Sequence, residues 1–257
     1  MSMQPIARWL GGAKKVAPLL ALLAAGLAAV AALGLAASAA SAATFSNNDG
    51  ITFNDGVNCD PVTDLSLAPG SATPYPSEIA VSGLDSSVSD VNVTVSGLGH
   101  EFPADIGLLL VSPAGQSVIL MTDSGRDIEV SGINLTFDDA ASGAVPNDGP
   151  LTSGTYRPSR GTYNNGCLAP ARFPAPAPAS PYGSSLSVFN GTNPNGTWKL
   201  YVIDDTQLEL GSITSWSLDI TTTPVPTTKE QCKKGGWEEF GYRNQGTCIS
   251  DVNRRNR

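Results

Sequence analysis

The chain has 257 residues, 41% of them hydrophobic, with 27 glycines, 19 prolines and a formal net charge of −8 at pH 7. That length holds one or two domains. The acidic balance excludes nucleic acid and anionic membrane as partners by like-charge repulsion, and leaves a divalent cation as the favoured ionic ligand.

In chain order, the first segment reads as a leader. Arg8, Lys14 and Lys15 precede an uncharged Ala/Leu-rich run from Val16 to Ala37, and Ala40-Ser41-Ala42 fits the small-x-small rule for signal peptidase. Residues 1–42 are therefore expected to be a signal peptide, the mature chain starting near Ala43, secreted and free of the membrane after cleavage. An uncleaved anchor is the alternative, since the run is long enough to span a bilayer, although its Ala and Gly content makes it weakly hydrophobic. Past Ala42 there are 12 basic and 23 acidic residues, a net of −11. From Lys229 onward seven basic residues face four acidic ones, so residues 43–228 carry −14.

An N-terminal arm, 43–73, leads into eight expected strands: Ser77 to Ser82, Val88 to Ser96, Asp105 to Ser112, Ser117 to Thr122, Val130 to Phe137, Leu186 to Phe189, Thr197 to Ile203 and Ile213 to Thr221. Val91, Val93 and Val95 alternate with polar residues, as do Trp216, Leu218 and Ile220, which is the period of strands with one buried face. Ile106 to Val111 is continuously apolar and is expected to be buried on both faces. Helical periodicity is absent from the body. The pattern predicts an all-β protein, a two-sheet jelly-roll or β-sandwich of about eight antiparallel strands with a small disulfide-looped C-terminal appendage. A long connection, 138–185, shows no strand and holds the proline-rich run Phe173 to Tyr182. Its Phe173 and Tyr182 are expected to anchor extended chain across a sheet face, or to stack on a ligand. A stiff linker, 223–228, then leads to a Cys-containing module, 229–257. The aromatics Trp237, Phe240 and Tyr242 form its miniature core or dock elsewhere.

Several of these segments share a pattern. Gly196-Thr-Trp198, Leu200, Val202 and Asp204, followed by Gly211, Ile213, Trp216 and Leu218, form the closing half. Val81-Ser-Gly-Leu84, Val91 to Gly97 and His100-Glu-Phe-Pro-Ala-Asp-Ile-Gly-Leu-Leu-Leu-Val-Ser-Pro-Ala-Gly115 form the opening half. Residues 74–222 thereby resemble the P domain (P/Homo B) that follows the catalytic domain of kexin- and furin-like proprotein convertases. The resemblance implies a jelly roll, a fold-associated role for His100, and an accessory role beside a subtilisin-like serine endopeptidase. It does not extend to a catalytic domain. The tail resembles a short Cys/Trp module of secreted actinobacterial proteins.

Four cysteines permit three pairings, and proximity along the chain selects Cys59 with Cys167 and Cys232 with Cys248. No catalytic residue is expected. The chain has one histidine, His100, and no G-x-S-x-G elbow, while the single Asp123-Ser-Gly motif lacks the second copy that aspartic-protease chemistry needs. Asp105, Asp204 and Asp205 are the candidate calcium ligands, as hard oxygens clustered in loops at one end of a sandwich, with a solvated acidic rim as the alternative. The Asn-x-Thr triplets at Asn92, Asn134, Asn190 and Asn195 read as strand Thr beside turn Asn. The function expected is that of a secreted, non-catalytic P-domain protein partnering a secreted protease, a cell-surface protein or a glycan. The alternatives are a carbohydrate-binding jelly roll using Tyr156 or Tyr163, and a structural cell-envelope protein.

Overall fold

A computed structural model of the chain describes residues 40–54, 69–162 and 173–255. In chain order its strands are β1 Ser41–Asn47, β2 Ile51–Thr52, β3 Gly70–Ser71, β4 Ser77–Val81, β5 Val88–His100, β6 Ile106–Val111, β7 Ser117–Thr122, β8 Val130–Phe137, β9 Gly154–Tyr156, β10 Ser159–Arg160, β11 Gly196–Asp204, β12 Gly211–Ile213 and β13 Ser215–Thr222. Helix α1, Gln245–Arg255, follows. One sheet runs β1-β13-β5-β12-β2, with β8 on the other side of β5 and β9 beyond it. The second runs β10-β7-β6-β11-β3, with β4 also paired to β11. Pairing is antiparallel except for β8 with β9 and β7 with β10. The protein is thus an all-β, two-sheet sandwich with a C-terminal appendage closed by Cys232–Cys248, whose Cα atoms lie 5.7 Å apart.

Alternation explains the core. Leu108 and Leu110 of β6, with Trp198, Leu200 and Val202 of β11, face Val91, Val93, Val95, Trp216, Leu218 and Ile220 of the other sheet. The two buried tryptophans keep their indole N–H groups paired, Trp198 donating to the Pro194 carbonyl and Trp216 to the Ser77 hydroxyl, each at 2.9 Å. Burying a large side chain while satisfying its one polar atom avoids the cost of an orphaned donor.

The intervening residues of β6 and β11 also lie out of water. Leu109, Val111, Tyr201 and Ile203 join Ile119 and Phe173 in a second cluster on the outer face of that sheet. Its cover is the proline-rich strap. The Tyr75 hydroxyl donates to the Pro174 carbonyl at 2.9 Å, Tyr201 to Pro176 at 3.2 Å, and Tyr182 to Pro178 at 2.9 Å. Prolines have no N–H, so the strap has few donors of its own: the Ala177 N–H turns back to the Pro174 carbonyl at 3.0 Å, and the tyrosine hydroxyls supply the further donors. Gly107 sits beneath the strap because a Cβ there would lie 2.5 Å from Ile203 Cγ1 and 3.2 Å from the Phe173 ring.

Several expectations differ. Leu186–Phe189 is a 3-10 helix, not a strand, because the Asp139 carboxylate accepts the Leu186 and Ser187 N–H groups and the Ser185 hydroxyl, fixing a turn. The connection 138–185 carries β9 and β10, each joined in parallel to a longer strand. The arm 43–73 contributes β1, β2 and β3, and β1 begins at Ser41, ahead of the expected cleavage point after Ala42. The tail ends in helix α1. Residues 1–39, Cys59, Tyr163 and Cys167 lie outside the described residues, and with them the leader and the Cys59–Cys167 pairing.

Candidate functional site

At one end of the sandwich three segments meet: the end of β5 at His100, the turn Pro103–Asp105 that opens β6, and the end of β11 at Asp204. His100 belongs to one sheet and Asp204 to the other. Their side chains are both 0% exposed, with His100 Nε2 3.1 Å from Asp204 Oδ2. The Phe102 N–H donates to His100 Nδ1 at 3.0 Å, so that nitrogen keeps its lone pair and Nε2 carries the proton that bonds Asp204. Phe53 packs on the imidazole with ring centroids 5.2 Å apart. Gly211 closes the other side, where a Cβ would lie 2.2 Å from His100 Cδ2.

The carboxylates are tied from within. Asp204 Oδ1 accepts the Thr206 N–H at 3.2 Å, and the Thr206 hydroxyl donates to Asp105 Oδ2, with Glu209 Oε2 3.4 Å away. The Asp205 N–H bonds the Asp105 carbonyl at 3.1 Å. Asp105 is 3% and Asp204 1% exposed. Asp105 and Asp204 are therefore brought together as expected, but around Thr206, which the sequence reading missed. No group of three or more His, Cys, Asp or Glu among the described residues is arranged to hold a metal ion. The donor set fits calcium poorly, because both Asp204 oxygens and one of Asp105 already accept from protein donors.

This network holds His100 inside the fold, its side chain 0% exposed. Among the described residues both ring nitrogens are bonded within the protein, Nε2 to Asp204 and Nδ1 to the Phe102 N–H. The loop above is different. Between β11 and β12 it exposes Leu208 and Leu210, 83% and 70% accessible, and Leu208 holds φ at +79°. A bulky side chain in the left-handed region is strained by about 1–3 kcal/mol, a cost that surrounding structure must override. Here the bonds through Thr206 fix the loop's base.

The remaining candidates are structural. Ser124 is wholly buried and its hydroxyl donates to the Thr122 carbonyl at 2.8 Å. Burial pushes the Asp123 carboxyl up, although the Thr122 hydroxyl and Arg160 act in the opposite direction. Tyr156 packs against the core, and its hydroxyl bonds the Thr152 carbonyl at 3.0 Å instead of standing free. In the tail, Trp237 and Tyr242 pack on Cys232, Cys248 and Val252. Tyr242 and Arg254 donate to Asp251, and Arg255 lies 2.7 Å from its Oδ2. Burial, with the bond to Asp251 and its charge, pushes the Tyr242 hydroxyl up to about 12.

No family model matches the chain, and no curated protein does. Two solved structures are similar in part. One is the serine protease of Aeromonas sobria in complex with the chaperone, 16% identical, with 71% of this chain covering 27% of that one at a TM-score of 0.32. The other is the serine protease of Aeromonas sobria, 17% identical, with the same coverage and a TM-score of 0.30. The chain spans about a quarter of the length of these structures.

Proposed function

We propose that this protein is a secreted, non-catalytic binding module that docks on a partner protein through the β11–β12 loop. The observation that carries this reading is the pairing of a buried, fully bonded His100–Asp204–Thr206–Asp105 base with two solvent-exposed leucines above it. Single exposed apolar residues are ordinary. Two neighbouring leucines on a loop held in a strained conformation are the form of a preorganised contact. The resemblance of residues 74–222 to the convertase P domain supports a subtilisin-like protease as the partner, and an accessory, stabilising role beside it.

The test uses the purified mature chain and a subtilisin-like protease from the same culture fluid, mixed and passed over a sizing column. A complex is expected. Burying two leucines contributes about 1.5–3 kcal/mol each, so Leu208→Ser with Leu210→Ser should weaken the complex by about a hundredfold or more while leaving the melting curve unchanged. No complex with the wild-type chain, or a complex that survives the double substitution, would refute the reading.

A further inference from the structure

A second feature lies away from that loop. Between the C-terminal module and the sandwich is a cleft of about 690 Å³, inside the range of small-ligand sites. Its walls are held by their own bonds. On the sandwich side the Asn195 amide donates to the Leu84 carbonyl and its oxygen accepts the Leu84 N–H, while the Thr223 N–H bonds the Ser87 carbonyl. On the module side Tyr242 and Arg255 are tied to Asp251. Disulfide Cys232–Cys248 anchors α1, which carries Asp251 and Arg255.

Two polar groups of the lining remain uncommitted among the described residues. Asp85 is exposed and has no protein donor. The Asn193 oxygen accepts from the Asn195 backbone and amide, each at 3.0 Å, which leaves its own NH2 group as a donor. Arg255 Nη1 also lacks an acceptor, but it is buried and out of a cleft ligand's reach. Half-buried Phe240 adds a ring to the same lining. The charged residues of the lining are Asp85, Asp251 and Arg255, so the cleft carries no surplus of positive charge to recruit an anion. It offers one acceptor, one donor and an aromatic face.

We propose that this cleft is a saccharide site. A neutral ligand rich in hydroxyls donates to Asp85, accepts from Asn193, and lays its apolar C–H face on Phe240. This is independent of the docking loop. The experiment is titration calorimetry on the full mature chain with chitotriose, cellotriose and maltotriose as probes, and trialanine as the peptide control. At least one trisaccharide is expected to give saturable binding. Asp85→Ala and Phe240→Ala, both at accessible positions, are each expected to weaken it by about tenfold or more without lowering the melting temperature. The Leu208→Ser, Leu210→Ser variant is expected to bind the sugar as wild type does, which separates this result from the docking test. Absence of binding to all three sugars, binding indifferent to both substitutions, or binding of trialanine in their place would overturn the assignment.

Discussion

Replacing His100 by alanine probes the joint between the two sheets. The substitution removes the proton that Asp204 Oδ2 receives at 3.1 Å and the acceptor that the Phe102 N–H uses at 3.0 Å, in a place where both side chains are 0% exposed. An orphaned buried polar group costs about 1–3 kcal/mol, and an orphaned buried carboxylate about 3–5 kcal/mol. The loss of ring packing on Phe53 adds to this, so about 4 kcal/mol or more is expected from a total stability on the order of 5–15 kcal/mol. Urea melts followed by fluorescence report it, because Trp198 and Trp216 are both buried in the core. With a slope of about 2 kcal/mol per molar, the midpoint falls by about 2 M. The double variant His100→Ala, Asp204→Ala no longer contains the orphaned carboxylate and should lose markedly less than the sum of the single losses. A midpoint shift under about 0.5 M, or strict additivity in the double variant, would show that the pair does not join the sheets as described.

Asp123→Asn is expected to raise the melting temperature at pH 7. Burial raises the Asp123 carboxyl in the folded state, so its contribution is fully present below the unfolded value and is lost as pH rises through the folded one. The gain should therefore vanish in acid, and since asparagine also accepts the local φ of +50°, a lower melting temperature at pH 7 would contradict the argument. Asp251 works in the opposite sense. Burial opposes its charge, but bonds from Tyr242 and Arg254 and the charge of Arg255 bring its carboxyl below the ordinary value. The tail should loosen as pH falls through that lowered value, seen as loss of tail amide protection under acid, and unchanged protection there would count against it. Cys232→Ser with Cys248→Ser should unfold the tail, since a loop of this size is held by about 3 kcal/mol, while the main transition of the sandwich stays in place; a displaced main transition would show the two cores to be one cooperative unit. Melts with calcium and with chelator should coincide, because Asp204 and Asp105 already accept protein donors, and a midpoint raised by calcium would return Asp105, Asp204 and Asp205 to the role of ligands.

The long strands were legible because packing and period agree in them. Ser117–Thr122 and Val130–Phe137 fall where the pattern places them, and the unbroken apolar run of Ile106–Val111 correctly signals cover on both faces. The identity of the outer cover was half legible. Phe173 and Tyr182 could be read as anchors, but the bonds that seat the strap come from Tyr75 and Tyr201, far away in sequence and placed by the fold. Strands β9 and β10 are too short to show a period. Helix α1 escaped because its buried face is Cys248, Asp251 and Val252, a cysteine and a carboxylate where apolar residues are sought. A local signal did exist: the Asn244 side chain accepts the Thr247 N–H at 2.9 Å, the bond of an N-cap. At the His100 end Asp105 and Asp204 could be read from the sequence as acidic residues at one end of the sandwich, and the hydroxyl that bridges them could not. Thr206 has no signature in sequence that distinguishes a carboxylate bridge from a loop hydroxyl.

Strand β1 also has a consequence in time. Its partner is β13, with Ser41 opposite Thr222, a separation of 181 residues. A chain elongating at 5–20 residues per second makes that partner about 10–40 seconds after Ser41 itself. During this interval residues 41–47 have no sheet to join, so a protease acting near Ala42 meets extended, unpaired backbone. Once β13 is in place the same backbone is hydrogen-bonded along an edge, and late cutting becomes slow. If the chain is cut near Ala42, cutting and folding at this end are ordered by synthesis: the cut has an early window, and the closing strand ends it.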